Sequence, residues 1–147
     1  MKLPQAEKIN YWKTSTSQPE KWLDRASDQI EVLGGTVLTH AFGKDPSLGT
    51  SAYLMIFQIG GDQFKIVWPV LPIKNEKDQL AARRQAATLL YHDVKAKCLS
   101  ATIKGARKAF FEYLSLPDGR SAGDLATEEL LKIPSILRGF TVPQIEE

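Results

Sequence analysis

The chain has little of what enzyme and metal sites are usually built from. It holds a single cysteine, Cys98, in 147 residues. That excludes an intramolecular disulfide and a multi-cysteine zinc site. The only histidines are His40 and His92, and neither stands beside a nucleophile in sequence. His92 and Asp93 are adjacent, so their side chains diverge on a helix. His92 and Cys98 are six residues apart, on different sides of one. The carboxylates are scattered and form no paired hydrolase or two-metal signature. Gly60-Gly61-Asp62 lacks the Gly-Lys-Ser/Thr ending of a phosphate loop, and Gly34-Gly35 lacks the dinucleotide spacing. No apolar run approaches the length of a membrane span. The segment MKLPQAEKINYWK has no apolar signal-peptide core. These absences predict no catalytic residues, metal, cofactor or membrane, and make a reducing cytoplasm the expected location.

What is present belongs to an ordinary folded domain. The apolar and charged fractions are 43% and 24%, enough for a core without staples. The net charge of +2 says little, but its distribution says more. Between Gln79 and Tyr113 seven cations face two carboxylates. From Leu114 onward three cations face six carboxylates.

The pattern predicts an α+β fold. Residues 1–16 read as an arm pinned by Tyr11-Trp12, residues 17–133 as one domain, and 134–147 as a tail. Ser17 and Glu20 suit a capping box and Pro19 a first turn. Trp22, Ala26, Ile30 and Leu33 share one side at helical spacing, so a helix is predicted over 19–33, closed by Gly34-Gly35. Strands follow at 36–42, 51–59 and 63–68, with a loop over 43–49. A two-residue primed turn at Gly60-Gly61, with positive φ at both positions, opposes Phe57 to Phe64, Met55 to Ile66 and Tyr53 to Trp68. That face is expected against the helices. The other, with Leu54, Ile56, Val67 and Lys65, is expected to be partly open or to meet a partner. Asn75 suits a cap, and 78–114 lacks proline and is rich in alanine, so a long helix is predicted there. Its apolar faces, Ala86-Leu90-Val94 and then Leu99-Ile103-Ala106-Phe110-Tyr113, do not line up, so either the helix bends or breaks near Cys98–Gly105, which is the preferred expectation, or its two halves pack against different neighbours. Leu116–Arg120 reads as a turn. Thr127 begins a short helix through Lys132, stopped by Pro134.

Function rests on the basic segment. Lys97, Lys104 and Lys108 recur at spacings that share a ridge, and Arg84 and Lys95 share another. With Lys65, Arg83 and Arg107 they form the candidate nucleic-acid-binding set, Lys44 in the loop extending it. Cations so spaced can follow a phosphate backbone without reading bases, and Trp68, Tyr91 or Phe111 could stack on unpaired ones. The competing explanation is a solvated helix face. The leading expectation is a non-enzymatic protein that binds single-stranded DNA, or RNA. The alternative is a structural or interaction module that oligomerises or docks a partner through the hairpin face and the apolar tail (Ile136, Leu137, Phe140). A small hydrolase or nuclease with acids from distant positions comes third.

The order helix, strand, glycine-tipped hairpin, basic helix resembles the core of single-strand annealing proteins, a group that includes phage Red-beta-type recombinases and eukaryotic annealing factors. The stretches Gln79-Leu80-Ala81-Ala82-Arg83-Arg84-Gln85-Ala86 and His92-Asp93-Val94-Lys95-Ala96-Lys97 are similar in character to the helix of the eukaryotic members. The resemblance covers about residues 35–110. It implies a single-stranded-DNA groove between hairpin and helix, ring or filament assembly, and no use of ATP.

Overall fold

A computed structural model describes residues 2–125. The predicted helix at 127–132 and the tail at 134–147 lie outside the described residues.

Helix α1 spans Pro19–Val32 and buries Leu23, Ala26 and Ile30. Its cap differs from the expected box: Gln18 is the N-cap residue and makes no side-chain cap bond. The Ser15 hydroxyl instead accepts from Ser17 N–H and from Trp22 Nε1, so the preceding arm satisfies this end. At the other end Gly34 and Gly35 donate to the Glu31 and Ile30 carbonyls, the Schellman pattern.

Strands β1 (Thr36–Asp45), β2 (Thr50–Ile59) and β3 (Asp62–Pro69) form an antiparallel sheet in that order. The register pairs Tyr53 with Trp68, Met55 with Ile66 and Phe57 with Phe64, as the alternation predicts. Only Gly60 of the Gly60-Gly61 turn has positive φ, at 62°. The turn is therefore of the II′ kind, not the predicted one with two positive positions. β1 runs further than expected because Gly43, Lys44 and Asp45 pair with Ala52, Ser51 and Thr50. The loop contracts to Pro46–Gly49, with Ser47 held by the Asp45 carboxylate.

Tyr53, Met55, Phe57, Phe64 and Ile66 form the buried face of the sheet. Leu54, Ile56 and Val67 point the other way and lie outside the core cluster. A 3-10 turn at Glu76–Asp78, capped by Asn75, leads into α2 (Gln79–Lys104). Small residues, Ala82, Ala86, Ala87, Cys98 and Ala101, make up much of the buried side of α2, with Leu90 and Val94 among them. Leu99 and Ile103, expected on an inner face, are 68% and 82% exposed. Alanines and a cysteine allow close approach of α1 and the sheet, so the larger side chains fall outside.

The long helix breaks at Gly105, within the expected interval. Its φ of 88° and ψ of 153° lie in a region that essentially only glycine occupies. A short helix α3 (Ala106–Ala109) then turns Phe110 inward. Phe110 meets Phe57 edge-on at 5.3 Å and Phe64 at 5.7 Å, while Phe57 and Phe64 stack at 5.3 Å. The apolar phase change read in the sequence is this redirection. Beyond it, Leu114 bridges to Phe64 and Ser115 N–H donates to Gln63, covering part of the β3 edge. Leu116–Arg120 is the expected turn.

Candidate nucleic-acid interface

The eight candidate cations divide into those the fold uses and those it leaves outward. Arg83 Nε donates to Tyr53 OH at 3.1 Å. Its guanidinium lies 4.2 Å over the Phe42 ring and 3.7 Å from Glu20. Lys97 sits between Asp93 at 3.0 Å and Glu112 at 3.1 Å, with its ammonium over the Tyr113 ring. Arg107 reaches both oxygens of Asp62 at 2.8 Å, tying α3 to the hairpin turn. Lys65 donates to the Gly119 carbonyl. Arg84 makes no ion pair, and Lys95, Lys104 and Lys108 are exposed without one among the described residues. The ridge expected from Lys97, Lys104 and Lys108 is interrupted. Lys97 is consumed internally, and the break at Gly105 separates the other two.

Arg84 and Lys95 remain on one outer side of α2, with Tyr91 between them at helical spacing. The N-terminal arm completes this side. Ala6 N–H donates to the Pro72 carbonyl at 2.8 Å, and Lys74 N–H donates to Glu7 at 2.9 Å. That bond holds the Glu7 carboxyl below its ordinary pKa. The buried Gln85 amide donates to the carbonyls of Ala6, Ile9 and Asn10. Lys13 then pairs with Asp78 at 3.1 Å.

So anchored, the arm lays Tyr11 flat on His92, at 4.8 Å between centroids and 10° between planes. Trp22 of α1 packs obliquely on Tyr91 and His92, and Arg25 lies 4.6 Å over Trp22. Tyr11 and Lys13 both take left-handed backbone conformations, with φ of 68° and 55°. Such strain costs about 1–3 kcal/mol per residue and collects at ligand clamps. Tyr11, Lys13, Trp22, Arg25 and His92 were not among the residues chosen from sequence. The one visible signal was the Tyr11-Trp12 pair, whose landing point the arm's sequence does not reveal.

Compared with protein families, curated proteins and solved structures, the chain matches none.

Among the described residues no three His, Cys, Asp or Glu side chains cluster to hold a metal. Burial pushes the Cys98 thiol up to about 11, which leaves it unreactive near neutrality. No helix among the described residues is long and apolar enough to cross a membrane. A groove of about 510 Å³ beside β3 holds Lys65 and Trp68 but also Glu112 and Asp124, carboxylates that oppose an anionic ligand.

The Lys97 cluster is structural, and it predicts an alkaline transition. Burial disfavours the Lys97 charge, but bonds to Asp93 and Glu112 outweigh this and raise its pKa. Tyr113 donates to Asp93, and burial, then that bond, raise its pKa as well. Both groups keep their protons longer folded than unfolded. Below the unfolded values, about 10 for Tyr and 10.4 for Lys, their contribution to stability is complete. Above them the unfolded chain loses protons first and stability falls with pH. Urea midpoints should be flat across neutral pH and drop above about pH 10, and the drop should shrink in Tyr113→Phe.

Proposed function

We propose that this chain binds single-stranded nucleic acid, DNA before RNA, without turning it over, along the outer face of α2 and the arm docked on it. Arg84, Lys13 and Lys95 would meet phosphates. Tyr11 and the Trp22–Arg25 pair would offer flat surfaces for unstacked bases. The observation carrying this reading is that Arg84 and Lys95, which pair with no carboxylate among the described residues, lie with the Asp78-paired Lys13 beside stacked aromatic rings on one side of the molecule. The resemblance to annealing proteins pointed to a groove between hairpin and helix. This reading keeps the helix and replaces the hairpin with the arm.

Fluorescence anisotropy with oligothymidylate and oligouridylate across a salt series tests it. Affinity should fall steeply with salt. Arg84→Ala with Lys95→Ala should flatten the log–log slope by about 1.4, at about 0.7 per phosphate contact on a single strand. Arg107→Ala, whose guanidinium Asp62 holds, should change it less. Absence of binding at low salt removes the proposal.

A second reading, an interaction module, has its own observation. Val32 and Leu99, 88% and 68% exposed, line an apolar groove between α1 and α2, and Ile103, 82% exposed, follows Leu99 one helical turn on, the sort of patch that marks association surfaces. Sedimentation of Leu99→Glu with Ile103→Glu against the parent chain separates the two. A lower assembly state with oligonucleotide affinity intact would assign this patch to association.

A further inference from the structure

We infer that the cavity between the N-terminal arm and α2 is a seat for one phosphate group, the anchoring point of the nucleic acid; the assignment rests on the reading above. The cavity measures about 300 Å³ and is lined by Tyr11, Lys13, Ser15, Thr16, Ala81 and Arg84.

Arg84 Nε is enclosed and has no acceptor among the described residues. Its Nε–H is sealed from solvent, so the fork would meet a phosphate through its terminal amino groups, which make no ion pair among the described residues. The Ser15 hydroxyl already accepts two bonds, from Ser17 N–H and Trp22 Nε1, each at 3.1 Å. Both its lone pairs are engaged, so its O–H proton remains to donate. Thr16 and the Tyr11 phenol add further hydroxyl donors, and Lys13 adds an ammonium.

Among the described residues the lining contains no carboxylate. Asp78 stands behind Lys13 at 3.1 Å and offsets one of the two positive charges. A net charge of about +1 remains, matching an ionised phosphodiester. The left-handed residues Tyr11 and Lys13 bend the arm around this space. Tyr11, 36% exposed as a residue and with its ring braced by His92, stands where the base adjoining the seated phosphate would stack.

The test follows the ¹⁵N-labelled full chain by NMR during titration with inorganic phosphate, then with oligothymidylate carrying either a 5′-phosphate or a 5′-hydroxyl. The Arg84 Nε–H signal and the Thr14, Ser15 and Thr16 amides should shift and saturate. Arg84→Ala should weaken oligonucleotide binding about tenfold, the effect of one lost hydrogen bond to a charged group. Equal affinity for the two 5′ ends places an internal diester in the seat, and a clear preference for the phosphorylated end places a terminal monoester there. If the oligonucleotide binds while Arg84 Nε–H stays unmoved, or if a well-dispersed Arg84→Ala variant binds like the parent, the seat is overturned and the wider nucleic-acid reading survives. If inorganic phosphate shifts these signals but no oligonucleotide binds, the seat stands and the nucleic-acid reading falls.

Discussion

Phe110→Ala should destabilise the protein by about 3–5 kcal/mol, the range for truncating a fully buried aromatic side chain. Phe110 is 0% exposed and closes a three-ring cluster with Phe57 and Phe64. Its removal loses transfer free energy and two aromatic contacts of about 0.5–1.5 kcal/mol each. Collapse cannot recover much, because the walls are fixed. Phe57 and Phe64 are paired across β2 and β3, and Gly105 and the Arg107–Asp62 pair set the path of α3. The loss should appear as a lower urea midpoint at unchanged slope. Phe110→Leu keeps most of the volume and should cost less. Alanine costing under about 1 kcal/mol would mean that α3 packs loosely and that the cluster is not a structural centre.

The features legible in the sequence are those set by neighbours along the chain. Gly60-Gly61 between alternating apolar residues fixes the hairpin register, since a slip by one would turn Phe57 and Phe64 outward. Prolines and glycines mark the ends of α1 and the sheet. The apolar phase shift after Cys98 foretells the break at Gly105. Misread features depend on distant partners. Leu99 and Ile103 looked like core because they are large, yet Ala86, Ala87 and Ala101 do the burying. A count of cations could not show that Arg107 would meet Asp62, 45 residues away, or Arg83 meet Tyr53, 30 away. Arg84 and Lys95 were on the candidate ridge, but the arm that makes them a site arrives from the other end of the chain.

Gln85→Leu should release that arm, at a cost of about 2–4 kcal/mol. Gln85 is 1% exposed, and its Nε2 donates to three carbonyls, those of Ala6 at 2.8 Å and of Ile9 and Asn10 at 3.1 Å. Three acceptors on one side fix the amide orientation, because Oε1 could donate to none of them. Leucine fills a similar volume but leaves the Ile9 and Asn10 carbonyls without that donor, at about 1–3 kcal/mol for each that stays buried, while the Ala6 carbonyl keeps its bond from Ile9 N–H. Re-solvating them by lifting the arm limits the total and gives the variant its signature. Trypsin should then cut after Lys8 and Lys13 at a denaturant concentration that leaves the sheet folded. The arm takes Tyr11 and Lys13 with it, so oligonucleotide affinity should fall at least as far as in Arg84→Ala. Gln85→Glu, closer in chemistry, should be worse than leucine, since an ionised carboxylate accepts only and would face three carbonyl oxygens. An arm that stays protected in both variants would mean that Glu7 and the Tyr11–His92 stack suffice to hold it. Gln85 would then not be the clasp that couples the arm's position to binding.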